Sequence, residues 1–392
     1  MDEFACRRNI LLYRIYALFN EPLFWGPIVI ASLQNLAHMS LSDIYYMEAV
    51  VLGICVALDI PSGALADVIG RKKTIIIGRT FLFASVCVFT TMRNPAEAWV
   101  GNILWAIGFT MQSGADTALL FETLKECGKE AEYKRIEGRA IGLRLIVIAF
   151  CSLATGVFAS INPRLPLIIG LPFTLIPLLA ALCFNEPART ERYSVQKQFC
   201  VLRQGLSFIR HSVELRWMVG FAALVMTTSK VWFFTYNPYF ELIELNVAYW
   251  GLIFFFLNMV AWLSSHYAQQ IERYLGEKRC VSFTVPFVGI PILIMGLVPI
   301  QPCAFLVVVQ NIVRGFVRPF VGDYIHRHVA SEIRATMLST QSSAANFAAI
   351  IGLAVFGVGM DHLGLINALI LLGLTTLVLG AMSYRAYKRL VM

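Results

Sequence analysis

Four charged side chains lie deep inside long apolar runs, where they could act on a bound solute. Glu21, Lys230 and Arg314 lie roughly 16–21 Å from the nearest polar segment, at a helical rise of about 1.5 Å per residue. Arg318 follows Arg314 by one turn on the same helix face. A charge at bilayer depth costs roughly 2.5–3.5 kcal/mol or more, so each is a candidate functional group. Because the cations suit carboxylates and phosphates, the set predicts an anionic or zwitterionic solute.

Glu21 is the acid of this set and is therefore the predicted protonatable coupling group. A desolvated carboxyl can take up and release a proton in the physiological range. Arg144, in the inner half of the fifth apolar run, is the second predicted coupling residue. Pairing of Glu21 with Lys230 or Arg314 of the second half is the alternative that the residues leave open.

Uncharged side chains at similar depth complete the predicted solute site. The predicted hydrogen-bonding residues are Gln112, Asn258, Gln310 and Asn311. The tryptophans expected to form its walls are Trp25, Trp105 and Trp232. A packing role is the alternative for each of them. Two further cations, Arg14 and Arg79, lie within two turns of the inner face and are expected to snorkel.

The elements that must position these groups are transmembrane helices. Of 392 residues, 58% are hydrophobic and 14% charged. Soluble domains are typically about 25% charged, so a water-soluble globule is excluded. At roughly 20 residues per span, the chain has room for about twelve helices. The predicted fold class is an all-α integral membrane protein with two pseudo-symmetric six-helix bundles, 1–184 and 216–392, joined by a cytoplasmic linker, 185–215.

The predicted spans follow the apolar runs of the sequence. They lie at about 10–33, 43–66, 73–92, 96–122, 136–160, 165–184, 216–240, 247–271, 280–300, 302–328, 335–360 and 363–385. Pro238 is predicted to break the seventh span near its outer end and to form an external gate. The linker carries apolar residues at helical spacing, which predicts an amphipathic segment along the membrane surface: Phe199, Leu202, Leu206 and Ile209.

Basic residues set the predicted orientation. Twenty-four Lys and Arg residues fall in the segments of one side, against two, Arg93 and Arg164, on the other. This bias predicts a multi-pass protein with both termini in the cytoplasm, and the short loops favour a prokaryotic inner membrane. The formal charge of +8 is therefore assigned to topology and anionic headgroups, and not to nucleic acid. The nine cysteines contain no C-x-x-C pair and are interpreted as apolar fillers, with no disulfide or metal framework.

One loop carries a specific motif. The stretch Gly63-x-Leu65-Ala66-Asp67-x-x-Gly70-Arg71-Lys72-Lys73 resembles the loop motif between the second and third helices of the major facilitator superfamily. Two further stretches extend the resemblance: Asp59-x-Pro61-Ser62-Gly63 and Ser113-Gly114-Ala115-Asp116-x-Ala118-Leu119. With the helix count included, the resemblance covers essentially the whole chain. It implies transport by alternating access, with the first, fourth, seventh and tenth helices around the cavity.

The motif residues are predicted to act in gating. The set comprises Asp59, Gly63, Asp67, Gly70, Arg71, Asp116 and Glu122. Glycine allows close helix approach and a tight turn. Asp67 can interact with the positive N-terminus of a neighbouring helix, which the resemblance implies is the eleventh. Arg71 requires a carboxylate, and Glu122 is its predicted partner. Membrane anchoring alone is the alternative for the basic residues of this loop.

The two halves are weakly repeated. The loop after the eighth helix, Gln269–Arg279, aligns its Gly276 with Gly70 at an offset of 206 residues. A repeat of this kind is typical of secondary transporters.

The sequence therefore predicts a secondary transporter for a small organic anion or zwitterion, coupled to protons, with export as the expected direction. We expect a monomer without cofactor or metal, and not an enzyme, because no nucleophile–base pair, metal cluster or phosphate loop is present. A broad multidrug efflux pump is one alternative. The fifth span lacks the Gly-rich pattern of drug–proton antiporters, and the fourth has no embedded Arg between Asn102 and Gly114. The other alternative is a non-transporting receptor or scramblase on the same fold.

Overall fold

A computed structural model describes residues 3–187, 207–329 and 334–391. Regular structure in these ranges is helical. The helices of the first half are α1 (Glu3–Leu18), α2 (Val29–Ala37), α3 (Leu41–Ile69), α4 (Arg71–Thr91), α5 (Pro95–Gln112), α6 (Ala115–Glu126), α7 (Tyr133–Ile161) and α8 (Leu165–Cys183). Those of the second half are α9 (Val213–Phe233), α10 (Tyr236–Leu242), α11 (Val247–His266), α12 (Ala268–Leu275), α13 (Glu277–Leu297), α14 (Leu306–His328) and α15 (Arg334–Val391). Short 3₁₀ turns, Glu130–Glu132 and Gln301–Phe305, precede α7 and α14.

All twelve predicted spans coincide with helices, but several are divided or merged. In the described part of the chain, eight helices are long and apolar enough to cross a membrane, and the pair α9 and α10, bent by 47°, makes a ninth. The first predicted span is divided between α1 and α2, and the fourth between α5 and α6. α15 contains the last two spans, separated by a bend at Gly364. The chain is thus a multi-pass, all-α membrane protein.

The first span is not the continuous helix predicted at 10–33. Pro22 and Pro27 lie in the segment between α1 and α2, and proline supplies no N–H for the helical hydrogen-bond ladder. Within this segment the carbonyl of Asn20 accepts a hydrogen bond of 3.0 Å from Arg79 Nη1. Irregular backbone at membrane depth is tolerated where protein groups satisfy it in this way.

The chain divides into two compact units. One comprises Met1–Met39 with Val51–Gln198, and the other comprises Ser40–Val50 with Phe199–Met392. The beginning of α3 therefore belongs to the second unit and the rest to the first. The predicted boundaries at 184 and 216 remain a prediction, and of the linker residues predicted to lie along the membrane, Phe199, Leu202 and Leu206 fall outside the described ranges.

Close helix packing organises the first unit. A Cβ added to Gly78 on α4 would lie 2.8 Å from the carbonyl oxygen of Gly108 on α5, too close for a side chain. About two turns after Gly78 on α4, the Ser85 hydroxyl donates a 2.6 Å hydrogen bond to the carbonyl of Gly101 on α5. Small residues and interhelical hydrogen bonds hold membrane helices together because lipid supplies no hydrophobic drive between them.

Tyr45 ties the beginning of α3 into the second unit. Its side chain is fully buried, and its hydroxyl donates a 2.9 Å hydrogen bond to the carbonyl of Val231 on α9. Its ring lies 5.0 Å from the Phe356 ring and 6.1 Å from the Phe234 ring, centroid to centroid. The hydrogen bond and the ring contacts together hold the beginning of α3 in the second unit.

Two cysteines depart from their predicted role as apolar fillers. Cys6 on α1 and Cys127 after α6 form a disulfide, with their Cα atoms 6.5 Å apart. The sequence pattern missed this pair because the two residues are 121 positions apart and share no motif. The remaining cysteines in the described ranges form no disulfide.

Candidate functional site

Two helix breaks bring polar groups into the interior of the first unit. Beside the break between α1 and α2, a second break separates α5 from α6 at Gly114, whose φ of 82° favours glycine. Asp116 consequently lies in the first turn of α6, where the N-terminal helix dipole favours negative charge. Its carboxylate is 8% exposed and accepts a 2.7 Å hydrogen bond from the Thr117 N–H.

Tyr16 joins the two breaks. Its fully buried hydroxyl donates a 3.1 Å hydrogen bond to Gln112 Oε1 and lies 3.5 Å from Asp116 Oδ2. The amide of Asn20, in the break of the first span, also lies 3.5 Å from Asp116 Oδ2. The predicted solute-binding residue Gln112 and the predicted gating residue Asp116 are therefore brought together in the interior of the first unit.

Arg79 does not snorkel as predicted. It is 4% exposed, and its guanidinium carbon lies 4.6 Å from the centre of the Tyr16 ring. Nη1 binds the carbonyl of Asn20, while Nε and Nη2 have no hydrogen-bond partner in the described ranges. A buried cation and the buried carboxylate of Asp116 thus contact the same tyrosine. We refer to Tyr16, Asn20, Arg79, Gln112 and Asp116 as the charged cluster.

The two predicted coupling residues are in contact. Arg144 Nη2 on α7 lies 3.4 Å from Glu21 Oε1, in the break of the first span. The Glu21 side chain is 54% exposed and that of Arg144 17%. Glu21 thus has an ion-pair partner within its own unit. The predicted wall residues Trp25 and Trp105 also pack together, with centroids 5.3 Å apart.

The second unit has its own break, between α9 and α10. The Tyr236 hydroxyl, at the start of α10, donates a hydrogen bond to Gln310 Oε1 on α14. Asn311 Nδ2 lies 3.3 Å from the same hydroxyl. Trp232, fully buried at the end of α9, packs edge-on against Tyr236 at 5.8 Å. Trp232 Nε1 and Gln310 Nε2 are buried without a hydrogen-bond partner in the described residues. We refer to Trp232, Tyr236, Gln310 and Asn311 as the neutral cluster.

The other predicted solute-binding residues of this unit lie at different distances from the neutral cluster. Arg314 is exposed, and its Nη1 lies 3.3 Å from Asn311 Oδ1, so it borders the cluster. Arg318 is exposed on the same helix. Lys230 lies half-buried in the last turn of α9. Asn258 donates its amide to the carbonyl of Phe254 in its own helix at 2.8 Å.

The motif residues form an ionic cluster at the start of α4. Arg71 binds Asp67 at 2.8 Å and Glu122 at 3.3 Å, so the structure contains the predicted Arg71–Glu122 ion pair. Glu186, which the sequence reasoning did not identify, accepts the backbone N–H groups of Arg71 at 2.6 Å and Lys72 at 2.8 Å. A carboxylate at the N-terminus of a helix satisfies its unpaired amides and its dipole.

The equivalent region of the second unit also has an arginine among carboxylates, but the arginine lies on a different element. Arg327, on α14, binds Glu272 and also Glu277 at 3.3 Å and Asp323 at 2.8 Å. Burial raises the pKa of the Glu272 carboxyl above its usual range, although the adjacent Arg327 guanidinium opposes that shift. In the first unit the arginine is the first residue of the helix that follows the glycine turn, whereas in the second it comes from α14 and the segments beside the turn supply Glu272 and Glu277.

The backbone supports the predicted repeat. Gly70 (φ 107°, ψ 154°) and Gly276 (φ 76°, ψ 155°) each precede the first residue of a long helix and share a left-handed φ.

Two other predicted gating residues lie on α3. Gly63 is inside the helix, and the backbone carbonyl of the exposed Asp59 accepts a 2.9 Å hydrogen bond from the Ser62 hydroxyl.

Comparison with known proteins shows the fold. No protein-family model and no curated protein sequence matches the chain. Among solved structures, a variant of the nucleoside transporter NupG superposes with a TM-score of 0.81 at 13% identity, over 97% of this chain and 100% of that one. A D-xylose–proton symporter gives 0.71 at 14% identity, over 97% and 96%. A bacterial homologue of the human lysosomal transporter Spinster, inward-facing and unoccupied, gives 0.73 at 12%, over 98% and 96%.

Proposed function

Because the chain has the fold of major facilitator superfamily transporters, we propose that it is a proton-coupled secondary transporter for a small organic anion or zwitterion. The two units alternate access to a central solute. The chain performs no covalent chemistry on the solute and uses no cofactor. The observation that carries the proposal is the charged cluster, in which buried Asp116 and Arg79 meet on Tyr16.

The charged cluster supports coupling to protons. A buried carboxylate is the kind of group whose charge a protein controls through its neighbours. Asp116 contacts Tyr16 and Asn20, and Arg79 holds the backbone of the broken first span. Protonation of Asp116 therefore removes a charge beside the groups that hold this break. Glu21 and Arg144 form a second, more exposed ion pair. The D-xylose–proton symporter on the same fold is consistent with proton coupling.

The neutral cluster and the cations beside it support the solute class. Trp232 and Gln310 present N–H groups without protein acceptors in the described ranges, so oxygen atoms of a solute suit them. Arg314 is exposed at the edge of the cluster and supplies a fork for a carboxylate or phosphate. Lys230 and Arg318 add positive charge on the same two spans. The solute is therefore proposed to carry several oxygen atoms and a negative group.

We further propose that the protein is a monomer in a prokaryotic inner membrane, with both termini in the cytoplasm, and that it exports its solute. The asymmetric distribution of Lys and Arg supports this orientation. Transport by right-side-out and inside-out vesicles tests the direction, because an exporter accumulates solute in the inside-out preparation when a proton gradient of matching sign is applied.

The first experiment is a thermal-shift screen of the purified protein in detergent. The ligands are organic anions, zwitterions, nucleosides, sugars and lipophilic cations. Wild type runs beside Arg314→Ala, Lys230→Ala and a control, Lys278→Ala, which removes an exposed cation of the same unit at the start of α13. Stabilisation by anions that both site variants lose and the control keeps supports the proposal. The stabilising compound is then assayed in proteoliposomes with and without a proton gradient.

Other outcomes decide against the proposal. Stabilisation by lipophilic cations that survives both site substitutions favours a multidrug pump. Stabilisation by an uncharged nucleoside or sugar, unchanged in the two variants, removes the anionic requirement but keeps a transporter. Ligand binding without any movement across the proteoliposome membrane favours a receptor.

A further inference from the structure

A groove on the first unit combines positive charge with an apolar floor. It has a volume of about 250 Å³ and lies between α1 and the segment that leads into α7. Arg7, Leu11 and Arg14 line it from α1, and Lys129, Glu132 and Ile136 line it from the other side. It is separate from the charged cluster, whose residues do not line it. Apolar and cationic groups side by side match an amphipathic anion better than an inorganic one.

Two of the three cations in the groove lack a counter-ion among the described residues. Arg7 forms a 2.7 Å ion pair with Glu3. In the ranges that the structure describes, Arg14 and Lys129 form no ion pair or side-chain hydrogen bond. Glu132 is the carboxylate among the lining residues. The groove therefore keeps a positive charge after internal pairing, of the size that a monoanionic phosphodiester neutralises.

The location of Arg14 makes a lipid the fitting source of that phosphate. Arg14 lies seven residues beyond Arg7 along α1, about 10 Å deeper. It is exposed, and so are its apolar neighbours Leu11 and Ile15, at 57% and 37%. Apolar residues exposed on a membrane helix face acyl chains, and an arginine among them requires an anion at the same depth. Basic pockets on the cytoplasmic side of membrane proteins bind anionic headgroups in this way.

The two walls of the groove are in direct contact. Cys6, one residue before Arg7 on α1, lies beside Cys127 of the turn that carries Lys129, with the two Cα atoms 6.5 Å apart. Lys129 N–H donates a 2.8 Å hydrogen bond to the carbonyl of Leu124, which holds the turn. A site whose walls do not move on binding loses less conformational entropy when the ligand arrives.

We propose that this groove binds the headgroup phosphate of an anionic phospholipid from the cytoplasmic leaflet. Arg14 and Lys129 bind the phosphodiester oxygens, and the exposed Leu11 contacts the glycerol end of an acyl chain. The proposal does not depend on which solute the protein transports, so the two proposals fail separately.

The test is native mass spectrometry of the purified full-length protein with phosphatidylglycerol and phosphatidylcholine. Wild type is compared with Arg14→Gln/Lys129→Gln and with a matched control, Lys134→Gln/Arg135→Gln, which removes two exposed cations at the start of α7 that do not line the groove. We expect wild type and control to retain phosphatidylglycerol in preference to phosphatidylcholine, and the groove variant to lose about tenfold in affinity or more. An equal loss in the control overturns the proposal, because it indicates general surface electrostatics.

Two further measurements keep the proposal testable if the groove variant does not fold. Wild type cross-linked with photoactivatable phosphatidylglycerol is expected to yield adducts on the peptides around residues 7–14 or 129–136; adducts confined to other peptides overturn it. Competition of phosphatidylglycerol by glycerophosphoglycerol or inorganic phosphate at equal concentration indicates a site for a free phosphate, and also overturns the lipid assignment.

Discussion

The first and seventh spans occupy equivalent places in the sequence repeat, and both are broken, yet the groups around the two breaks differ. In the first unit, the break faces a buried arginine and a buried aspartate. In the second unit, the break is surrounded by tryptophan, tyrosine and amide side chains, with Arg314 exposed at the edge. One repeated element thus carries two kinds of chemistry. We assign ion coupling to the charged cluster and solute recognition to the neutral cluster.

The break itself is stabilised differently in each unit. In the first, a charged side chain satisfies the carbonyl of Asn20, which makes the helix geometry depend on electrostatics. In the second, α9 and α10 are separated by two residues, and the Thr235 N–H bonds to the carbonyl of Trp232 at 2.9 Å, so the backbone largely satisfies itself. A change in charge should therefore alter the first unit more than the second.

The largest effect on stability is expected for Arg79→Gln. This change removes the buried charge beside Tyr16 and the donor to the Asn20 carbonyl. Loss of a hydrogen bond to a charged group costs about 1.5–3 kcal/mol, so at about 2–4 °C per kcal/mol the apparent melting temperature in detergent should fall by roughly 3–12 °C. Arg318→Gln is the matched control, because Arg318 is exposed in the second unit and its loss should be nearly neutral. Equal losses in the two variants would remove the distinction between the units.

Asp116→Asn should separate coupling from transport. The amide keeps the size of the side chain but cannot exchange a proton. We expect accumulation driven by a proton gradient to fall by about 100-fold, in the range of effects seen for proton-transfer groups, while solute exchange across proteoliposomes persists. Asp361→Asn, at an exposed carboxylate of the second unit outside every predicted site, serves as the control. Loss of exchange together with accumulation would instead assign Asp116 to structure or to solute binding.

Tyr236→Phe should weaken recognition and leave coupling intact. The change removes the hydroxyl that donates to Gln310 and lies 3.3 Å from Asn311. Loss of such hydrogen bonds typically costs about 0.5–1.5 kcal/mol, so the solute Kd should rise by about three- to tenfold. The measurement is the ligand dose dependence of the thermal shift. If Tyr236→Phe instead loses its response to the proton gradient and keeps its affinity for the solute, the division of roles between the charged cluster and the neutral cluster is contradicted.

Gly276→Ala should produce the smallest change and tests the repeated loop. Its φ of 76° disfavours a side chain, although no atom lies within 4 Å of an added Cβ. The cost is therefore conformational, about 1 kcal/mol, or roughly 2–4 °C in apparent melting temperature. Gly138→Ala inside α7 also meets open space but has helical backbone, and it should be neutral or slightly stabilising. A neutral Gly276→Ala would argue against a constrained loop in the second unit.

Much of the fold was predictable because membrane spans are set by composition. A run of about 20 apolar residues forms a helix in lipid whatever its neighbours are. The breaks in the helices were harder to predict from the sequence. Pro22, Pro27 and Gly114 are local signals for the first two, but their effect depends on whether other groups satisfy the freed backbone. The break at Pro238 was predicted near the outer end of the seventh span, and α9 ends before Tyr236.

The candidate site was predicted in part. Depth along a helix identified Glu21 and Arg144, and the structure brings them together at 3.4 Å. The same criterion missed Arg79, because it lies close to the end of its span that was predicted to be cytoplasmic, and it was expected to reach water. Its burial follows from the packing of α4 against its neighbours, and depth alone does not report the direction of a side chain. Glu186 was missed for a related reason: it meets α4 through the fold, more than 110 residues away in sequence.

The sequence by itself determined the membrane environment, the helical class, the Gly70 motif and its Gly276 counterpart, and the presence of charges at depth. These follow from local composition and spacing, because the bilayer imposes the same length and hydrogen-bond rules on every span. Tertiary structure alone decided which charges meet: Glu21 with Arg144, Arg79 and Asp116 on Tyr16, and Cys6 with Cys127. Such pairings depend on helix rotation and on interhelical packing, which bring together residues that no local pattern relates.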